Sequence, residues 1–101
     1  MKQFNVRLAE TFFEDMLDIM LYIFEKSGSS EISRGFYNEV LSTIDDRSFG
    51  ADSYEAYHPY PGSPKYRRIY FGNYIIFYVV VDNWMDVRRI LWSGVENSKK
   101  L

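Results

Sequence analysis

The chain has no cysteine, a single histidine, three prolines and no long apolar run among its 101 residues. Without cysteine there is no disulfide framework, no thiol nucleophile and no thiolate metal site, and His58 alone cannot build a zinc centre. No cofactor and no metal are therefore expected. Nothing approaches the roughly 18 uninterrupted apolar residues of a membrane span. The opening Met1-Lys2-Gln3-Phe4-Asn5-Val6-Arg7 lacks the apolar core of a secretory signal, so a cytoplasmic protein with no membrane partner is expected. Basic residues are too few for a general nucleic-acid binder, since the formal net charge is −2 where such domains are strongly basic. Sequence-specific DNA binding by this chain alone is not expected.

What is abundant is aromatic. Nine Tyr, eight Phe and two Trp stand in a chain that is 47% hydrophobic, enough large apolar surface to offset the ordering entropy of one compact domain. Charge is uneven along the sequence. Residues 1–63 hold five Lys and Arg against eleven Asp and Glu, a net of −6, and residues 64–101 hold seven against three, a net of +4. Two readings fit: acidic helices presenting solvated faces, or a basic sheet surface that meets an acidic partner.

From Gln3 to Leu8 polar and apolar residues alternate, which places Phe4, Val6 and Leu8 on one face of a half-buried strand. Thr11 and Glu14 have the spacing of a capping box. Phe12, Met16, Ile19, Met20 and Ile23 then recur at helical spacing, giving a first helix to about Lys26. Ser27-Gly28-Ser29-Ser30 breaks it, and a second amphipathic segment carries Ile32, Phe36, Tyr37, Val40, Leu41 and Ile44 up to Asp45-Asp46. Pro59, Pro61, Gly62 and Pro64 make the stretch from Arg47 to Pro64 a loop. Three strands of an antiparallel meander follow, over Tyr66 to Phe71, Tyr74 to Val81 and Val87 to Trp92. The order is β-α-α-β-β-β, an α+β domain with a helical hairpin on one face of a four-stranded, mainly antiparallel sheet. The first strand should lie parallel to one neighbour, because the hairpin supplies the long crossover. A single domain over residues 1–92 and a loose polar tail over 93–101 are expected.

Tyr66-Arg67-Arg68-Ile69-Tyr70-Phe71-Gly72-Asn73-Tyr74-Ile75-Ile76-Phe77-Tyr78, with Val87-Arg88-Arg89-Ile90-Leu91 after it, resembles the C-terminal sheet of the RelE/ParE toxin superfamily. Asp15-Met16, Ile19 and Tyr22-Ile23 resemble the same family's first helix. The resemblance implies the toxin of a type II toxin–antitoxin pair, held inactive by a small cognate antitoxin, with the ribosome or DNA gyrase as target. RNA-cutting members place an Arg after the Tyr that opens the penultimate strand, where this chain has Ile75. They also end the last strand on His or Tyr and basic residues, where this chain reads Trp92-Ser93-Gly94-Val95. Neither Trp nor Gly moves a proton. The segment Asn73 to Tyr78 is similar to the ParE branch, which implies a toxin that acts by binding its target. The alternatives are a ribosome-dependent messenger-RNA endoribonuclease and a non-toxic relic that only binds antitoxin.

A two-residue turn at Gly72-Asn73 and an even-length turn after Val81 place Arg68, Phe77, Arg88 and Trp92 on one face as target-binding candidates. There the two arginines can grip a carboxylate or phosphate, or simply make surface pairs. Arg67 and Arg89 fall on the core face as structural arginines that pair with a helix carboxylate such as Asp15, Asp18 or Glu39. A bulge in the last strand would reverse its faces. Trp92 is either a binding anchor or a cap on the core, and His58 is ordinary loop surface.

Overall fold

The computed structural model describes residues 1–101 throughout. It contains β1 (Asn5–Leu8), α1 (Glu10–Ser27), α2 (Ser30–Arg47), β2 (Tyr66–Phe71), β3 (Tyr74–Val81) and β4 (Trp84–Trp92), with short 3-10 turns at Ala51–Ser53 and Ser98–Lys100. The four strands form one sheet in the order β1-β4-β3-β2. β1 runs parallel to β4, and the other two pairings are antiparallel. This is the expected α+β architecture, mainly antiparallel with one parallel pair.

Helix ends follow local chemistry, though not always the chemistry that the spacing suggests. Gly28 closes α1 in a left-handed conformation, φ 69°, and its amide donates to the Phe24 carbonyl, as C-terminal glycines do. Ser29 opens α2 by accepting from the Ile32 amide. The capping box at Thr11 and Glu14 does not form. Ala9 is the N-cap without a side-chain bond, and Thr11 Oγ1 instead donates to the Arg88 carbonyl at 2.7 Å. A tertiary acceptor has displaced the local one.

One face of the sheet packs on the helices. Phe12, Met16 and Ile19 from α1 and Val40 and Ile44 from α2 meet Ile69, Ile76, Tyr78, Val87 and Ile90. The buried serine Ser33 lets the helices approach, its hydroxyl donating to the Met20 carbonyl at 2.9 Å. The opposite face carries a second buried cluster, Tyr66, Phe77, Val79 and Leu91, packed against Tyr57 and Leu101. The last residues are thus not a loose tail. Asn97 Nδ2 donates to the Trp92 carbonyl, Arg89 Nη1 to that of Lys100, and Tyr66 Oη to that of Leu101. These bonds tie residues 97–101 to the strands, and Leu101 packs against the second cluster.

Candidate functional site

The four residues expected to form a basic aromatic patch do not come together. Phe77 lines up with Arg89 and Tyr78 with Val87, so Arg88 is an extra residue on β4 and forms a bulge. Beyond it the faces of the last strand exchange. Ile90 joins the helix-side core, Leu91 joins the opposite cluster, and Trp92 falls opposite Tyr74, whose ring packs on Phe36 of α2. Phe77 is only 1% exposed, beneath Tyr57 and Tyr66, and offers nothing to a target. Arg68 stacks on the Tyr57 ring at 4.1 Å and stands near Tyr70. Arg88 borders a small cleft beside Arg7 and Asp86, with β3 between it and Arg68.

The structural arginines divide. Arg89 is paired as expected: its Nε and Nη2 each reach an Asp15 carboxylate oxygen at 2.7 Å. Held by this carboxylate, the guanidinium has its pKa raised above the ordinary value. Arg67 is buried but has no helix carboxylate as partner. Its Nε donates to the Tyr54 carbonyl at 2.9 Å and its Nη2 to that of Asp52 at 3.1 Å, fastening the 51–54 segment to β2. Arg47 completes this corner, donating to the Arg68 carbonyl and to Tyr78 Oη and lying 3.5 Å from the centre of the Tyr54 ring. The Tyr78 hydroxyl donates to the Ala51 carbonyl at 2.7 Å, and burial pushes its pKa up.

Two surfaces emerge that the residue pattern did not single out as sites. The first is an open groove of about 690 Å³ between α1 and the end of β4, bordered by Asp15, Asp18, Tyr22, Tyr74, Trp92 and Lys100. Burial, and secondarily Tyr22, raises the Tyr74 pKa there. The second is the outer face of α1. Phe13, Leu17, Leu21 and Phe24 are 42%, 69%, 58% and 46% exposed, although their spacing of four, four and three puts them in one stripe. The signal was available: α1 is apolar on two faces, and only Phe12, Met16 and Ile19 are buried in the core.

By contrast, parts of the sheet margin are occupied. Past Val87, where β1 stops, Thr11 bonds the Arg88 carbonyl, Asp15 accepts from the Ile90 amide and Asn97 bonds the Trp92 carbonyl. At the β2 edge Tyr57 and Tyr66 exchange both main-chain bonds, and Arg47 takes the Arg68 carbonyl. Side chains and loop therefore use the main-chain groups of β4 beyond Val87 and of the first half of β2.

His58 is exposed in the loop beside Tyr57. No group of three or more His, Asp or Glu side chains is placed to hold a metal ion. No helix is long and apolar enough to cross a membrane. No family model matches the chain, and no curated protein matches it.

Proposed function

We propose that this chain is the toxin of a type II toxin–antitoxin pair, of the ParE-like kind, neutralised by a small antitoxin and acting by binding its target. The observation that carries the reading is the outer face of α1. A domain whose core is already closed on both faces of its sheet exposes four further large apolar side chains in one stripe, and such a patch marks a surface meant to be covered by another protein. The order β-α-α-β-β-β agrees with the resemblance in Tyr66 to Tyr78 and Val87 to Leu91. Binding is favoured over RNA cleavage because general acid–base work needs proton-carrying groups at the reacting phosphate. The positions that RNA-cutting members fill with such groups hold Ile75, packed against the Phe77 cluster, and Trp92.

Induced expression in a bacterial host tests this. Growth arrest with filamentation and a DNA-damage response, relieved by co-expression of the adjacent short reading frame, is the expected result. Transcript cleavage mapped on ribosomes would replace binding by endoribonuclease action. Unaffected growth would leave only a non-toxic antitoxin binder.

A further inference from the structure

We infer that the outer face of α1 receives a cationic amphipathic helix from a partner chain. This deepens the preceding reading and rests on it only in that the chain works as one half of a pair. From Phe13 to Phe24 the stripe runs about 16 Å along the axis, close to three turns, the length of a short helical segment. An exposed apolar stripe of this length along one helix face is the surface against which an amphipathic helix packs its own apolar face.

Charge decides what kind of helix. Glu10, Glu14, Asp18 and Glu25 are all exposed, and they form a second row alongside the stripe. None of them is in an ion pair, the two salt bridges of the chain being Arg7–Asp86 and Arg89–Asp15. The one basic residue of α1, Lys26, sits in its last turn near the Tyr22 ring. An occupant with Leu or Ile at helical spacing and Lys or Arg along one flank satisfies both rows. A second copy of this chain does not, because its α1 brings an acidic row and only one cation, Lys26. An anionic membrane surface is repelled for the same reason. A segment only about three turns long is marginal as a free helix in water, so it orders on docking.

The test uses the full chain and two fluorescein-labelled 18-residue peptides with the same helical leucine spacing, one flanked by Lys and the other by Glu. Fluorescence anisotropy should show the Lys peptide binding about tenfold or more tighter, with the preference shrinking as salt rises. Leu17→Asp and Leu21→Asp should abolish binding, and both should fold, since these side chains are outside the core. Glu14→Lys with Asp18→Lys should move the preference toward the Glu peptide. Equal binding of the two peptides, no binding of either, or unchanged binding by the leucine variants would overturn the inference. So would a dimer in sedimentation that Leu17→Asp dissolves, or adsorption to phosphatidylglycerol vesicles that it abolishes. A chain that arrests no growth but still selects the Lys peptide removes the toxin reading and leaves this one standing.

Discussion

Asp15→Ala should be the most damaging single change to a charged side chain in this protein. The carboxylate accepts from Arg89 Nε and Nη2 at 2.7 Å each and from the Ile90 amide at 3.1 Å. It thereby clamps α1 to β4 just beyond the bulge. Each charge-assisted bond is worth about 1.5–3 kcal/mol, and removing one partner of a fully buried pair costs about 3–5 kcal/mol. Here the two side chains are 12% and 23% exposed, so water can partly re-solvate the orphaned guanidinium and the lower end applies. The expected loss is about 2–3 kcal/mol, which in a domain of this size lowers the melting temperature by roughly 10–20 °C. Urea denaturation followed by circular dichroism reads it, and a double-mutant cycle with Arg89→Ala isolates the pair, with about 1.5 kcal/mol or more of coupling expected. A cost below about 0.5 kcal/mol with no coupling would show that apolar packing alone seats α1 and that the pair is surface decoration.

Four further outcomes are expected. Phe12→Ala empties a fully buried site and should cost about 3–5 kcal/mol, whereas Leu17→Ala on the outer stripe should stay within about 0.5 kcal/mol, both read by urea denaturation. Tyr78 has a folded pKa raised above the ordinary phenol value of 10.0, so its contribution is complete below that pH and is lost as pH rises through the folded value. Tyr78→Phe should flatten this alkaline decline in a pH series of melts, at a constant cost of about 1–2 kcal/mol from the stranded Ala51 carbonyl. Gly94→Ala places a Cβ against the Trp92 indole, so in a Trp84→Phe background the emission of Trp92 should shift with little change in stability. Deleting residues 94–101 should leave a folded protein that binds a hydrophobic dye, because it removes Leu101 from the cluster of Tyr66, Val79 and Leu91 on which it packs.

The helices and the β2–β3 hairpin were legible because their signals are local. Gly72-Asn73 forms the tight turn, with Gly72 at φ 55°, and alternation on either side fixes the pairing of Phe71 with Tyr74. β4 was harder. It begins at Trp84 and not Val87, because Asp82 adopts φ 54° and makes a two-residue turn with Asn83, a conformation that Asp tolerates but does not advertise. The bulge at Arg88 left no mark in composition, since Arg88-Arg89 serves equally well in either register, and it displaced Trp92 and Ile90 from their expected faces. The docked tail has no such local signal either. Its docking depends on main-chain carbonyls at Trp92, Lys100 and Leu101, and carbonyls carry no sequence signature.

The uneven charge of the chain acquires a definite sense once each arginine is placed. A basic sheet surface facing an acidic partner requires guanidiniums free to leave the molecule, and most of those on the strands are not. Arg67 is buried against two carbonyls, Arg89 is held by Asp15, and Arg68 lies on Tyr57. Their guanidiniums are engaged in fastening the loop, the tail and α1 to the sheet. The helices hold nine Asp and Glu against three Lys and Arg, and of these carboxylates Asp15 alone is engaged in an ion pair. The field along α1 is therefore negative, with Glu10, Glu14, Asp18 and Glu25 exposed beside the apolar stripe that the helix leaves uncovered. A ligand drawn by that field is basic, and the leucines of α1 then decide whether it stays.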